Sequence, residues 1–317
     1  MLQKVEIPHD LAPSLKILGN FFARNQTDLY LVGGPVRDLL LGLMPREIDL
    51  LVVGDAAKLC ASLKESWTEI FVETSQGLAR SIKMLSFKRY NTVKFQFADP
   101  WVMNFKEIDF ASSRRETYPE AGLPPIVFPG NLTQDLARRD FTINAMALSL
   151  KAEDFTTLVD LHAGQHDLQL KVLRVLHDQS FVDDPARLLR GIRFATRLGF
   201  SFATETEDLF TQAVNQNFIK RLPPERIFSE FRKCLEEERV LVVLKSLAQR
   251  GILKQILPQL DLGRLDRLTV EENATGWLGW LAELFKDLPV AALLEFLLSG
   301  KVSRSEREIA LDLHGKV

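Results

Sequence analysis

The sequence predicts an α+β chain in which an N-terminal α/β part is followed by an entirely helical remainder. Up to about Leu150, apolar runs of strand length alternate with helical patterns. From about Val172 onward the strand signals disappear and helical periodicity takes over. We therefore expect an α/β domain over residues 1–150, a helical segment over 151–237 and a second helical segment over 238–317.

The composition is that of an ordinary globular protein and excludes several classes. Of 317 residues, 46% are apolar and 26% are charged, and a net charge of −2 means that nucleic acid would have to bind through local basic surface. Cys60 and Cys234 are too few for a disulfide scaffold or a zinc site. No signal-peptide pattern and no apolar run of bilayer length is found, so we expect a cytoplasmic protein without membrane association.

The first strand and the turn after it predict a phosphate-binding element. Leu29–Val32 has the pattern of a short buried strand, and Gly33-Gly34 ends it. Pro35 suits the first turn of a helix, and glycines at such a start let a ligand approach free backbone N–H groups. Arg37 adds a potential bidentate donor to the same turn.

A pair of carboxylates follows this turn. The segment Glu47–Val53 is predicted as a strand, whose period of two puts Glu47 and Asp49 on one face, roughly 7 Å apart at Cα. Two carboxylates at that spacing can share Mg²⁺ ions that also hold substrate phosphates. The glycine turn alone could be an ordinary tight turn, and the acidic pair alone could be a solvated face of a strand. Their proximity in the chain favours phosphate chemistry.

A third carboxylate is available further along the chain. The remaining elements predicted for this part are one helix and three strands: Asp55–Leu63, and Glu69–Glu73, Thr92–Ala98 and Glu107–Ala111. Glu107 and Asp109 share one face of the last strand. One of them could complete a metal site and draw a proton from an attacking hydroxyl, or both could be surface acids on an edge strand.

A second motif covers residues 135–147, with the sequence DLARRDFTINAMA. Its two adjacent arginines, Arg138 and Arg139, precede an apolar segment that we predict to be helical. Asp140 or Thr142 would cap that helix. Such an arginine pair is commonly a solvated cap, and near phosphates it is also a binding element.

A third motif opens a helix at Asp184-Pro185 that Gly199 is expected to end. Arg187 does not fit a purely structural role, because a cation near the positive end of the helix dipole is unfavourable. An unfavourable residue at a helix start suggests a functional reason. Further arginines continue the same face: Arg190, Arg193 and Arg197.

Together these motifs resemble the nucleotidyltransferase superfamily, and their spacing is most similar to class II tRNA nucleotidyltransferases (CCA-adding enzymes) and bacterial poly(A) polymerases. The resemblance runs from about Leu29 to Glu237. It implies a polymerase β-like head, a helical neck and a helical body. The last of these resembles a shortened or truncated body, with the tRNA-gripping tail short or absent. One position departs from the family, since Glu47 stands where Asp is usual.

The resemblance also implies roles for individual residues. The catalytic residues would be Glu47, Asp49 and Asp109, the first two as ligands of Mg²⁺, with Asp109 matching the family better than Glu107. The nucleotide-binding residues would be Gly33, Gly34, Arg37, Arg139, Asn144, Asp184, Arg187, Arg190 and Arg193. Arg226, in a motif over residues 222–230, would orient the nucleotide-selecting helix, and the proline-containing segment 118–130 would be a mobile loop.

The function implied is template-independent addition of C, A or both, from CTP and ATP, to the 3′ end of tRNA. An acceptor at Asp184 and a donor at Arg187 match the amino group and ring nitrogen of C and A, and leave unpaired groups against U and G. Poly(A) polymerase shares these motifs, and a catalytically silent RNA-binding protein is the alternative from another class. No obligate protein partner is expected.

Overall fold

The computed structural model describes residues 3–71, 82–268 and 276–316. The chain forms two compact units. Unit 1 comprises Met1–Thr117 and Pro125–Leu170, and unit 2 comprises Tyr118–Pro124 and Lys171–Val317. The strands of unit 1 therefore continue past residue 150, where the α/β part was expected to end. The division into head, neck and body stays a prediction.

Unit 1 is built from five helices and nine strands among the described residues. Its helices are α1 (Ala12–Arg24), α2 (Gly34–Leu40), α3 (Ala56–Ile70), α4 (Leu132–Ala137) and α5 (Gly164–Leu170). Its strands are β1 (Leu29–Val32), β2 (Asp49–Val52), β3 (Ile82–Phe87), β4 (Thr92–Phe97), β5 (Glu107–Ser112), β6 (Arg114–Thr117), β7 (Ile126–Pro129), β8 (Met146–Ser149) and β9 (Leu158–Asp160). Short 3₁₀ turns lie at Lys88–Tyr90 and Thr142–Asn144.

Seven of these strands form one sheet in the order β3-β4-β5-β2-β1-β8-β9, and β6 pairs with β7 separately. Neighbours in the large sheet are antiparallel except β2 and β5, which run parallel. Parallel strands need a crossover connection, and here α3 with the β3–β4 hairpin provides it. The two strands that carry the predicted carboxylates are therefore direct neighbours.

The two faces of the sheet have different coverings. On one face, α1 and α3 pack through aromatic side chains: Phe22 stacks on Phe110 at 6.0 Å, and Trp67 meets Phe95 edge-on at 5.8 Å between ring centroids. The other face has an apolar cluster formed by strand residues and α4: Tyr30, Val32, Leu51, Leu136 and Ala147. Since side chains alternate along strands, this second face also carries Asp49 and Asp109.

Two predicted elements of the first part differ from the structure. The helix predicted over Asp55–Leu63 is α3, and Asp55 caps it by accepting a hydrogen bond from the Lys58 N–H. The helix continues to Ile70 and includes the start of the strand predicted at Glu69–Glu73. The helix is prolonged because Trp67 packs on Phe71, with ring centroids 4.3 Å apart. Residues 72 and 73 lie outside the described part of the chain.

Two further predictions between residues 118 and 147 were wrong in part. The loop predicted over 118–130 contains β7, which pairs with β6. The helix predicted after Arg139 is a 3₁₀ turn followed by β8, which inserts between β1 and β9. A strand buried on both faces has an uninterrupted apolar sequence, and over a few residues that pattern is shared with a buried helix.

Unit 2 is helical, as the sequence predicts. Its helices are α6 (Ser180–Asp183), α7 (Ala186–Leu198), α8 (Thr204–Asn215), α9 (Pro224–Leu235), α10 (Val240–Gln249), α11 (Ile252–Ile256), α12 (Trp277–Phe285), α13 (Val290–Ser299) and α14 (Arg304–Lys316). Strands β10 (Val172–Leu173) and β11 (Ser201–Phe202) form a small parallel pair, and 3₁₀ turns lie at Phe218–Arg221 and Leu262–Asp266.

Helix ends in unit 2 follow the local residues. Gly199, at φ +69°, ends α7 in the left-handed conformation as predicted. The apolar stripes of the sequence predict helices over Leu241–Leu260 and Thr275–Leu298. The first is interrupted at Gly251, at φ +74°, and the second before Pro289. Thr275 lies outside the described residues. Within the described ranges, no helix has the length and apolar character needed to cross a membrane.

Candidate active site

Two of the predicted carboxylates lie side by side in unit 1. Asp49 is the first residue of β2, and the parallel register places it directly opposite Asp109 of β5. Glu47 precedes β2 instead of lying in it as predicted, yet it remains close to the glycine turn, since a Cβ on Gly34 would lie 3.4 Å from its Oε1 atom. The chain thus brings the three acids predicted from sequence together around the start of β2, with Glu47 beside the turn and Asp109 on the neighbouring strand β5.

The electrostatics of this group reflect its crowding. Burial raises the pKa of Asp49 to about 7, with further contributions from Glu47 and Asp109 that Arg139 and Lys94 partly offset. Burial also raises the pKa of Asp109. Mutually repelling carboxylates of this kind are stabilised by a bound cation.

The donor set suits a hard divalent cation. Glu47 and Asp49 offer carboxylate oxygens, and Mg²⁺ is commonly held by one or two carboxylates together with water and substrate phosphates. Within the described ranges, no three or more His, Cys, Asp or Glu side chains form a ready-made metal cluster. The pair therefore fits a metal that completes its coordination with substrate.

A lysine that sequence reasoning missed lies beside the third carboxylate. The Nζ atom of Lys94 on β4 is 3.2 Å from Asp109 Oδ2 and 2.6 Å from Glu107 Oε2. Gln96 also donates to Glu107, at 2.7 Å, and these two hydrogen bonds lower the pKa of Glu107. Glu107 is thus occupied by strand neighbours. Lys94 lies between two buried residues of β4, and side chains alternate between the faces of a strand. This alternation was the available signal that Lys94 lies on the face of the sheet that carries Asp109.

The glycine turn is shaped by the second motif. Gly33 has φ +75°, a conformation that favours glycine, and a Cβ there would lie 2.8 Å from the Arg139 Nη1 atom. Arg37 is buried and donates to Asp38 and, at 2.7 Å, to Asn144 Oδ1. The guanidinium of Arg139 therefore lies across the turn, whereas Arg37 and Asn144 hold its shape.

One buried aspartate organises both arginines of the second motif. Asp135 is completely buried and accepts from Arg138 Nη2 at 2.6 Å and from Arg139 Nη2 at 2.9 Å. Burial alone would raise the pKa of Asp135, but the two arginines reverse this and lower it below its usual value. Sequence reasoning missed this role, although an acid three and four residues before an arginine pair on a helix was the available signal.

In unit 2, the residues predicted to select the base are held at the start of α7. Asp184 Oδ1 accepts from the Ala186 N–H at 3.1 Å, and Asp184 Oδ2 accepts from Arg226 Nη2 at 2.6 Å. Arg187 is buried and donates to the hydroxyl and carbonyl oxygens of Ser180. Both side chains are therefore preorganised by protein contacts.

The other arginines of α7 make different contacts. Arg193 donates to Glu237 at 3.0 Å and lies 3.4 Å from Glu230, and Arg197 also pairs with Glu237. Arg190 lies over the Phe194 ring at 5.5 Å. The Arg193 guanidinium is thus engaged by two glutamates of the same unit, and its nucleotide-binding role stays a prediction.

Two protein families match this chain, one mainly over unit 1 and the other within unit 2. Residues 29–174 match the family described as "Poly A polymerase head domain", and residues 199–262 match "Probable RNA and SrmB- binding site of polymerase A". The A-adding tRNA nucleotidyltransferase of Halalkalibacterium halodurans is 32% identical over 314 residues, which cover 94% of this chain and 68% of that protein. The chain belongs to the tRNA nucleotidyltransferase and poly(A) polymerase family. The family and fold predicted from sequence are thereby confirmed.

Other members of this family differ in length from the chain. The A-adding tRNA nucleotidyltransferase of Aquifex aeolicus is 40% identical over 230 residues, or 72% of this chain but 25% of that protein. The corresponding enzyme of Geobacter sulfurreducens is 32% identical, and the match covers 36% of its length. The chain thus spans about a quarter to a third of these two relatives.

Solved structures of family members share the fold. One described as "tRNA-processing enzyme (apo form I)" superposes with a TM-score of 0.78 at 30% identity, over 98% of this chain and 79% of that one. A tRNA nucleotidyltransferase complexed with a primer tRNA and an incoming ATP analog gives 0.73 at 31% identity, over 94% and 84% of the two chains. Nucleotidyltransferases of this family generally use divalent metal ions.

Proposed function

We propose that this chain is a template-independent tRNA nucleotidyltransferase, which adds C, A or both from CTP and ATP to the 3′ end of tRNA. The observation that carries the proposal is the direct pairing of Asp49 with Asp109 beside the Gly33-Gly34 turn, in a member of this family. Several similar proteins are named A-adding enzymes, and this makes terminal A the first nucleotide to test. A cytoplasmic location belongs to the same proposal, because tRNA, CTP and ATP are available there.

In this mechanism, unit 1 performs the transfer. Glu47 and Asp49 would hold Mg²⁺, which would supply positive charge to stabilise the transferring phosphate and the departing pyrophosphate. Asp109 accepts the proton of the attacking 3′ hydroxyl, for which its raised pKa is suited. Arg139, lying across the glycine turn, donates to the triphosphate.

Unit 2 selects the base in the same proposal. An ionised carboxylate only accepts hydrogen bonds and a guanidinium only donates them. Asp184 therefore receives the amino group of cytosine or adenine, and Arg187 donates to the adjacent ring nitrogen. Uracil and guanine present a carbonyl beside an N–H, so both protein groups would face the wrong partner. The bonds from Ala186 and Arg226 leave lone pairs of the Asp184 carboxylate available.

The decisive experiment is extension of three labelled tRNA transcripts with Mg²⁺, with CTP and ATP given separately and together. The transcripts end before the first C, before the second C and before the terminal A. Addition of a single A to the third transcript alone identifies an A-adding enzyme, and two C residues or a complete CCA end identify the other activities. A long A ladder would indicate a poly(A) polymerase. No extension of any transcript would overturn the proposal in favour of a silent RNA-binding protein.

Replacing Arg226 by methionine is expected to reduce nucleotide discrimination about tenfold. The change removes the bond that holds Asp184 Oδ2, so the selecting carboxylate gains freedom. Loss of one hydrogen bond to a charged group also lowers the free energy of unfolding by about 1–2 kcal/mol. The measurement is the ratio of kcat/KM for ATP and CTP to that for UTP and GTP.

The matched control is Arg239→Met, since Arg239 is exposed and makes a long 3.5 Å bond to the Thr196 carbonyl oxygen. That variant should keep the wild-type ratio. An Arg226→Met protein with unchanged discrimination would show that Asp184 does not depend on this arginine for its position.

A further inference from the structure

The strand order of unit 1 puts the glycine turn and the third carboxylate on opposite sides of Asp49. The turn follows β1, on one side of β2, and Asp109 lies on β5, on the other side. In an in-line transfer, the attacking and leaving oxygens are on opposite sides of the phosphate. If the pyrophosphate leaves toward the Gly33-Gly34 turn and Arg139, the attacking hydroxyl arrives from the side of Asp109.

Beyond Asp109, on the side of β5 away from β2, the sheet continues into the β3–β4 hairpin. Register pairs align Leu85, Lys94 and Asp109 in one row across the strands, and Lys83, Gln96 and Glu107 in the next. Side chains directly opposite one another on paired strands point to the same face. The carboxylate face therefore continues across two more strands, to β3, roughly 14 Å from β2 at the usual strand spacing.

The charge of this surface changes sign with distance from Asp49. Lys94 forms ion pairs with Glu107 and Asp109. One strand further, Lys83 is exposed, and no carboxylate pairs with it within residues 3–71, 82–268 and 276–316. On the same face of β3, Phe87 is 50% exposed, an unusual position for a large aromatic side chain.

We infer that this face of the β3–β4 hairpin, defined by Lys83, Lys94 and Phe87, is the primer platform, which binds the last nucleotides of the RNA before its 3′ hydroxyl. The ring of Phe87 and the amine of Lys83 lie on one face of β3, four residues and therefore roughly 13 Å apart along the strand. A single-stranded RNA end can meet both over successive nucleotides, since it offers base faces for stacking and phosphates for ion pairing. The net charge of −2 makes such local complementarity necessary. The inference rests on the proposed function and adds the position of its RNA substrate.

The test compares Lys83→Ala and Phe87→Ala with the wild-type chain. We expect the Kd for tRNA to rise about fivefold in each. In Lys83→Ala, the slope of log binding constant against log salt concentration should fall by about 1. The KM for ATP and the single-turnover rate at saturating tRNA should remain within twofold, since neither residue contacts the nucleotide in this proposal. Fluorescence anisotropy and quench-flow extension provide the readouts.

Lys64→Ala is the matched control, because Lys64 is an exposed lysine on α3, which packs against the opposite face of the same sheet. Wild-type affinity and salt slope in both platform variants would overturn the inference, as would a higher KM for ATP with unchanged tRNA binding. Failure of the proposed function is distinguishable, since it would appear as absence of extension by the wild-type chain, whereas binding to the platform is measured without catalysis.

Discussion

Replacing Asp49 by asparagine is expected to lower nucleotide incorporation by roughly 10³-fold. The amide has nearly the same shape but carries no charge, so the site loses the carboxylate that lies between Glu47 and Asp109 and that would bind the metal. The measurement is single-turnover extension of a tRNA transcript over a Mg²⁺ titration. The exposed acid Glu65 on α3 provides the control, and Glu65→Gln should keep full activity. Normal turnover by Asp49→Asn would exclude its assignment as a metal ligand.

The same substitution is expected to change how stability depends on pH. In the metal-free protein the pKa of Asp49 rises from 3.8 when unfolded to about 7 when folded, so the folded state binds more protons between these values. Stability from this group is present below pH 4 and is lost as the pH rises to about 7. Asp49→Asn should lack this loss, and its Tm should exceed that of wild type at pH 8 by more than at pH 5. Added Mg²⁺ should raise the Tm of wild type alone.

The second large effect is expected on replacing Asp135 by alanine. The substitution leaves the guanidinium groups of Arg138 and Arg139 without their fully buried partner. Breaking a buried ion pair by removing one member typically lowers the free energy of unfolding by 3–5 kcal/mol, and we expect about 3 kcal/mol or more. Because Arg139 would no longer be held across the glycine turn, the KM for ATP should also rise. Denaturant unfolding and steady-state kinetics measure the two effects.

Asp28→Ala is the control for this experiment. Asp28 pairs with Lys151 at 2.8 Å on the surface of the same unit, and exposed pairs of this kind contribute less than about 1 kcal/mol. If Asp135→Ala were no more destabilising than Asp28→Ala, the proposed organising role would be wrong. Asp135→Asn, which keeps the shape of the side chain, should remain folded and still raise the KM for ATP without changing that for tRNA.

Residues with local signals could be predicted from the sequence. The turn at Gly33 is marked by a glycine pair directly after an apolar run, and the acid at Asp49 lies in a short segment of strand pattern, so each signal is visible in a short window. The end of α7 is likewise marked by a single local residue, Gly199. The position of Asp109 beside Asp49 depends on strand order, and resemblance to a family, not spacing, selected Asp109 over Glu107.

Features that depend on distant contacts could not be read in this way. Lys94 is 15 residues from Asp109, and only the register of β4 with β5 makes them partners. The strand β8 has the apolar sequence of a helix because the sheet buries both of its faces. Likewise α3 continues where a strand was predicted, because the packing of Trp67 against Phe71 outweighs local propensity.

The direct pairing of Asp49 with Asp109 also affects how the chain reaches its native sheet. A slip of one residue between β2 and β5 would turn Asp109 to the opposite face, where Phe22, Phe95 and Phe110 pack together. An unpaired charge buried among aromatic rings costs several kcal/mol, so misaligned pairings are disfavoured during folding. The two aspartates, which the sheet needs on its polar face, therefore also favour the native register of β2 and β5 over its neighbours.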